Sequence, residues 1–217
     1  MLNEQRLERI DEVLERKQPT LELFLDNVDS SQNISAIIRS CDSVGVLNFY
    51  YANKEEKEQK IHKTITQGSH HWLHRERVDS DRKVAFLQEK QKEGFQIVVT
   101  HLSEKAISYR EVDYRQKTVI VMGNEKEGIS QEVLDLADKV VVIPMRGMAQ
   151  SLNVSVATAL ILYEAERQLE IAGQYEQAQL SKEEREKIKH EWVYRDLISR
   201  RSKGTIFTGR QKRKRRE

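Results

Sequence analysis

Three short stretches of this 217-residue chain combine polar side chains with glycines at spacings that suit ligand chemistry. The first is Asn33-Ile-Ser-Ala-Ile-Ile-Arg39, an amide and a guanidinium six positions apart. The second is Gly123-Asn-Glu125-Lys-Glu-Gly128, a carboxylate carried in a loop framed by glycines. The third is Ile143-Pro-Met-Arg-Gly-Met-Ala-Gln-Ser-Leu-Asn153, which closes on Ser151 and Asn153. Glycines at a strand-to-helix turn let a ligand approach the backbone closely. A helix start adds unpaired N–H donors and a partial positive charge. Each feature also has a plainer reading. Gly123 and Gly128 serve as turn residues, Asn153 serves as a helix N-cap, and Met145 and Met148 fill core or line an apolar slot for an adenine ring.

These stretches need elements to hold them. Val140-Val141-Val142-Ile143 is a β-branched run of the kind buried inside a parallel sheet, and Pro144 ends it. Beyond Asn153, Val154, Val156, Ala157, Leu160, Ile161 and Ala165 follow the 3.6-residue period of a helix that reaches about Leu169. Strands are expected at Leu21–Leu25, Leu47–Tyr51, Trp72–Val78, Phe95–Thr100, Thr118–Met122 and Lys139–Ile143. Helices are expected at 3–17, after Ser30-Ser31 (inner face Ile34, Ile37, Ile38, Cys41, Val44), at Arg82–Glu93 and at Ser130–Ala137. Ser181-Lys-Glu-Glu184 is a capping box for a last helix ending near Arg200. Alternating strands and helices predict an α/β domain, a mostly parallel sheet covered by helices on both faces. The division expected is a basic N-terminal helix over 1–20, the α/β domain over 21–172, and a basic helical extension and tail over 173–217.

Composition excludes several classes. One cysteine, Cys41, permits no intrachain disulfide and suits a reducing, cytoplasmic setting. No apolar run is long enough to span a bilayer, so no membrane is expected. There is no G-x-G-x-x-G, no P-loop and no G-x-S-x-G elbow. His70, His71 and His74 lack a further ligand at useful spacing, so no metal is expected; His71 and Trp72 read as strand-entry or RNA-facing residues. The net charge is only +2, but Arg200–Glu217 carries nine Lys/Arg against one acid. Residues 1–199 therefore carry 28 Lys/Arg against 34 Asp/Glu. A basic tail on an acidic body suits phosphate contacts with nucleic acid; a tail serving solubility alone is the alternative.

The three stretches, N-x-x-x-x-x-R, then G-N-E-K-E-G, then I-P-M-x-G-x-x-x-S-L-N-V-S, resemble in order the motifs of the SpoU/TrmH branch of the SPOUT RNA methyltransferases, over roughly residues 20–170. The resemblance implies a deep C-terminal trefoil knot, an S-adenosyl-L-methionine cofactor and a homodimer with its site across the subunit interface. By the same resemblance, Thr100, Gly123, Ile143, Met148 and Leu152 would line the cofactor pocket. Ser151, Asn153, Glu125 and Asn33 would hold cofactor and ribose, and Arg39 would sit nearest the chemistry. That chemistry would be in-line methyl transfer to a ribose 2′-hydroxyl, with Arg39 stabilising the developing alkoxide and a phosphate or water taking the proton. A guanidinium, which stays protonated in proteins, is a poor base. Asn33 and Arg39 lie roughly 240° apart around a helix, so they cannot share a face.

Short arms at both ends resemble the branch that methylates guanosine-18 in the tRNA D-loop, through shape and backbone contacts. The arm residues expected on RNA are Arg6, Arg9, Arg16, Lys17, Arg195, Arg200 and Arg201, with Arg167 beside them. Ribosomal RNA or another tRNA position is an alternative substrate, and a noncatalytic RNA-binding module is an alternative of a different class.

Overall fold

The computed structural model describes the backbone of residues 4–213 and the side chains of residues 4–198. Seven strands form one sheet: β1 (Leu21–Asp26), β2 (Asn48–Ala52), β3 (His74–Arg77), β4 (Gln96–Thr100), β5 (Ile107–Ser108), β6 (Thr118–Gly123) and β7 (Lys139–Val142). Their spatial order is β3-β2-β1-β6-β4-β7-β5, and every pairing is parallel. The chain thus leaves β4 for the edge at β5, returns to place β6 between β1 and β4, and then inserts β7 between β4 and β5.

Alternation along the strands feeds two cores. On one face Leu23, Leu25, Phe49, Val98, Ile120 and Val141 pack with α2 (Ser31–Ser43) and α6 (Val154–Ile171). On the other, Phe24, Tyr50, Ile97, Val99, Val119 and Val121 pack with α4 (Lys83–Lys92) and α5 (Gln131–Leu134). Burial on both faces is why these strands read as continuous apolar runs.

The helix starts follow their caps. Ser30 accepts from the Asn33 N–H at the head of α2, and Asn153 accepts from Ser155 N at the head of α6. Gly45 ends the α2 turn at φ +80°, where a Cβ would lie 2.6 Å from the Arg16 carbonyl oxygen. The short α3 (Lys63–Thr66) sits beside α2.

The terminal helices share a third core. Ile10 and Leu14 of α1 (Glu4–Glu15) and Trp192 of α7 (Lys182–Arg213) bury together with Leu47 and with Leu180, just ahead of α7. The capping box at the head of α7 forms in both directions between Ser181 and Glu184.

Three expectations change. Trp72 belongs to no strand but lies two residues before β3, half-buried, its ring meeting Trp192 edge-on at 5.3 Å with the Arg6 guanidinium 5.0 Å away. The two-residue β5 was not expected, since so short an edge strand leaves no periodic trace. Finally, α7 runs 32 residues instead of stopping near Arg200. No proline follows Pro144, and an interior glycine weakens a helix by only about 1 kcal/mol without blocking it.

Candidate active site

The three polar stretches meet at the carboxyl edge of the sheet. β1 and β6 run in register there, with Asp26 beside Gly123, and β4 and β7 follow next in the sheet. Loops leaving the carboxyl ends of adjacent parallel strands form the ligand-binding edge of such folds.

Asn33 joins the motifs. Its Nδ2 donates to Glu125 Oε1 at 2.7 Å, and its Oδ1 accepts from Asn153 Nδ2 at 3.1 Å. Asn153 meanwhile uses its Oδ1 to accept from both the N–H and the hydroxyl of Ser155. It is therefore a helix cap and a site residue together. One amide thus clips a carboxylate from the β6 loop to the head of α6. Glu125 stands exposed at its loop tip, with one oxygen committed to Asn33.

Arg39 stands apart from this trio, as its angular offset on α2 demands. It is exposed, and its Nη1 reaches the Ile65 carbonyl of α3 at 3.5 Å, the limit of a hydrogen bond. Ser151 is exposed too and does not join the trio.

The β6 loop is built on close backbone contact. A Cβ on Gly123 would fall 2.5 Å from the Gly128 carbonyl group, because Asn124 and Gly128 exchange both backbone hydrogen bonds at 2.9 Å. Gly128 has φ +72°, a conformation that side chains resist. Thr100 ties β4 to β6 through its hydroxyl, which donates to the Val121 carbonyl at 3.3 Å. Ile143 packs on the core, Leu152 is half-buried, and Met148 is fully exposed. Among the described residues, no hydrogen bond reaches positions 145–152. The loop's backbone donors and acceptors are thus uncommitted, and apolar side chains lie among them. Such a surface fits a ligand that is part flat ring and part polar chain.

Residues that the motifs did not flag support this edge. Asp26, Lys83 and Ser130 form a buried polar cluster behind the Glu125 loop. The available signal was an aspartate closing an otherwise apolar strand at Leu25-Asp26.

The basic residues divide. Arg9 and Arg16 are exposed, Arg9 paired with Glu12. Arg6 is drawn into the arm packing, 3.4 Å from Asp196. Arg195 donates to the Leu73 carbonyl and to Glu191. Arg167 forks onto Glu164 at 3.0 and 2.7 Å. The side chains of Arg200 and Arg201 lie outside the described residues.

Lys17 must be corrected. It is wholly buried, its ammonium donating to Asp42 at 3.2 Å and to the Val46 carbonyl at 3.0 Å beneath the Trp192 ring. It cannot reach a phosphate from there. Burial pulls its pKa down, and the Asp42 carboxylate opposes that shift. Helical periodicity was extended two residues too far in this region, since α1 ends at Glu15.

The His70 and His71 rings lie 4.0 Å apart, tilted by 37°, and burial lowers the His71 pKa. Among the described residues, no group of three His, Cys, Asp or Glu side chains could hold a metal ion. Nor is any described helix long and apolar enough to cross a membrane.

The sequence profile of the SpoU rRNA Methylase family matches residues 20–163. The chain is 53% identical over 205 residues to the tRNA (guanosine(18)-2′-O)-methyltransferase of Aquifex aeolicus (strain VF5), covering 94% of this chain and 96% of that one. It superposes on the crystal structure of the A. aeolicus TrmH/SpoU tRNA modifying enzyme with a TM-score of 0.86 at 54% identity, over 89% of this chain and 98% of that one. The AdoMet-bound rRNA methyltransferase from Sinorhizobium meliloti superposes with a TM-score of 0.62 at 29% identity, over 73% of this chain and 60% of that one.

Proposed function

The chain belongs to the SpoU rRNA methylase family, and from that premise we propose that it methylates the ribose 2′-hydroxyl of guanosine-18 in the tRNA D-loop, with S-adenosyl-L-methionine as methyl donor. The observation that carries the reading is the clip at Asn33, which unites one residue from each of the three motif stretches. A match at 53% identity to a tRNA enzyme, covering 94% of the chain, supports tRNA as the substrate.

Bound S-adenosyl-L-methionine supplies a methyl group already activated by a sulfonium leaving group. The residues suited to hold it are Thr100, Gly123, Ile143, Met148 and Leu152, at the ends of β4, β6 and β7 and in the loop beyond. What the chain must add is alignment and charge stabilisation. Asn33 fixes the Glu125 carboxylate and the head of α6, so the ribose meets a preset acceptor. Ser151 and Asn153 border the same edge. Arg39, weakly held by the Ile65 carbonyl, would stabilise the alkoxide as the 2′-hydroxyl proton departs to a phosphate or water.

Two further features follow from the same reading. Val156, Leu160 and Tyr163 leave an exposed apolar stripe on α6, continuous with the Ile143–Asn153 loop; a homodimer would cover it and bring a second subunit to the site. The insertion of β7 between β4 and β5, after β6 has passed inside both, is the strand order that a trefoil thread would leave. A tRNA substrate places the protein in the cytoplasm.

The test is transfer of labelled methyl from S-adenosyl-L-methionine to unmodified tRNA transcript, with the modified nucleotide mapped. A 2′-O-methyl group on the D-loop guanosine is expected. A product only on ribosomal RNA, or at another tRNA nucleotide, would replace the substrate and leave the chemistry standing.

A further inference from the structure

Behind the Glu125 loop lies a polar cluster that no ligand contact explains. Asp26 closes β1 and is wholly buried. Its Oδ2 accepts from the Ser130 N–H at 2.9 Å and from the Ser130 hydroxyl at 2.6 Å. Its Oδ1 accepts from Lys83 Nζ at 3.1 Å and from Asn27 Nδ2 at 2.9 Å. Lys83, itself buried, spends its other donors on the Ser130 hydroxyl at 2.9 Å and on Glu132 at 2.8 Å. A buried carboxylate with four donors around it is a fixed point, because releasing any one of them would leave a charge poorly paired out of water.

That fixed point grips the Glu125 loop at both ends. Ser130 sits two residues past Gly128, at the head of α5. Its hydroxyl makes no capping bond to that helix; it is given to Asp26. At the other end the residues after Asp26 take over. The Asn27 carbonyl, on a residue at φ +58°, accepts from Asn124 Nδ2 at 2.7 Å, and Asp29 accepts from the same amide at 3.0 Å. Asn124 Oδ1 in turn accepts from the N–H groups of Lys126 and Glu127 at 2.8 and 3.0 Å. Glu125 is thereby the exposed tip of a loop whose two feet are tied to the end of β1.

We infer that Asp26, together with Ser130 and Lys83, is a positioning element for the methyl transfer, acting through the backbone of 123–130 to hold Glu125 in reach of Asn33. The inference rests on the functional reading above. Side-chain placement within about 1 Å decides rates of this kind, and the Asp26 ties anchor both feet of a loop that is otherwise held at its neck by the Asn124–Gly128 backbone pair and at its tip by Asn33.

The experiment uses the full chain carrying Asp26→Ala, and separately Ser130→Ala, which removes one hydroxyl and serves where the first variant fails to fold. Transfer to tRNA is measured as kcat and KM, and amide hydrogen exchange is followed at 124–128 and in the β1 and β6 strands. The expected result for Ser130→Ala is a kcat lowered roughly tenfold with KM for tRNA within about twofold, and lost protection confined to 124–128. Asp26→Ala should lower kcat further in the same pattern. Unchanged kcat in a folded variant would overturn the inference, as would protection lost equally across the sheet, which marks plain destabilisation. If wild-type protein methylates no tRNA, the functional reading has failed. Exchange at 124–128 then still decides whether Asp26 and Ser130 hold the loop.

Discussion

Asn33 and Glu125, 92 positions apart in the chain, meet through a 2.7 Å hydrogen bond, and the same asparagine accepts from Asn153, 120 positions away. Both halves of one amide are used, so the side chain has a single satisfactory orientation. Asn33→Ala should release Glu125 and Asn153 together. We expect kcat for methyl transfer to fall about a hundredfold with little change in melting temperature, because the bonds lie at a solvent edge. Asn33→Asp, which turns the donor to Glu125 into a second carboxylate, should be as damaging; near wild-type turnover in either variant would remove the clip from the mechanism.

Among the described residues, Arg39 is held by one 3.5 Å contact to the Ile65 carbonyl and stands outside the cluster around Asn33. Arg39→Ala should abolish transfer while sparing cofactor affinity, as measured by calorimetry. Lost cofactor binding in this variant would contradict the role assigned to it.

Gly123→Ala tests the β6 loop. Its new methyl would lie 2.5 Å from the Gly128 carbonyl group and 2.6 Å from Ile129 N, all backbone that cannot swing aside. The chain should lose about 1–3 kcal/mol of stability, read by denaturant unfolding, and S-adenosyl-L-methionine binding should weaken at least tenfold. Unaltered affinity would place the cofactor away from this loop.

Lys17→Ala should leave tRNA affinity within about twofold, because the ammonium faces Asp42 and the Val46 carbonyl beneath Trp192. Stability should drop by about 2–4 kcal/mol, through the vacated volume and the unpaired carboxylate. A large loss of tRNA affinity without loss of stability would restore Lys17 to the RNA surface.

Removing residues 204–217 takes away six Lys/Arg and one acid. The apparent Kd for tRNA should rise, and its dependence on salt concentration should flatten, since fewer counterions are released on binding. An identical salt slope in the truncated protein would make the tail a bystander.

Much of the frame was readable before any fold was known, and for local reasons. The leucine-rich Leu21–Leu25 marked β1, apolar β-branched runs marked β4, β6 and β7, Ser30 and Ser181 announced their helices, and the 3.6-residue period gave α2 and α6 their inner faces. These signals depend on neighbours within a few residues, which a sequence displays directly. The motif spacing likewise isolated Asn33, Glu125 and Asn153, and helix geometry separated Arg39 from Asn33.

Only the tertiary structure decided which of these residues touch. Strand order placed β6 beside β1, and so brought Asn124 to Asn27 and Ser130 to Asp26, contacts between segments about a hundred residues apart. It also turned charge into burial. Lys17 and Trp72 look like surface residues in a basic, aromatic stretch, yet the packing of α1 against α7 encloses the first and presses the second onto Trp192. A charged side chain's fate depends on what covers it, and that cover comes from the far end of the chain.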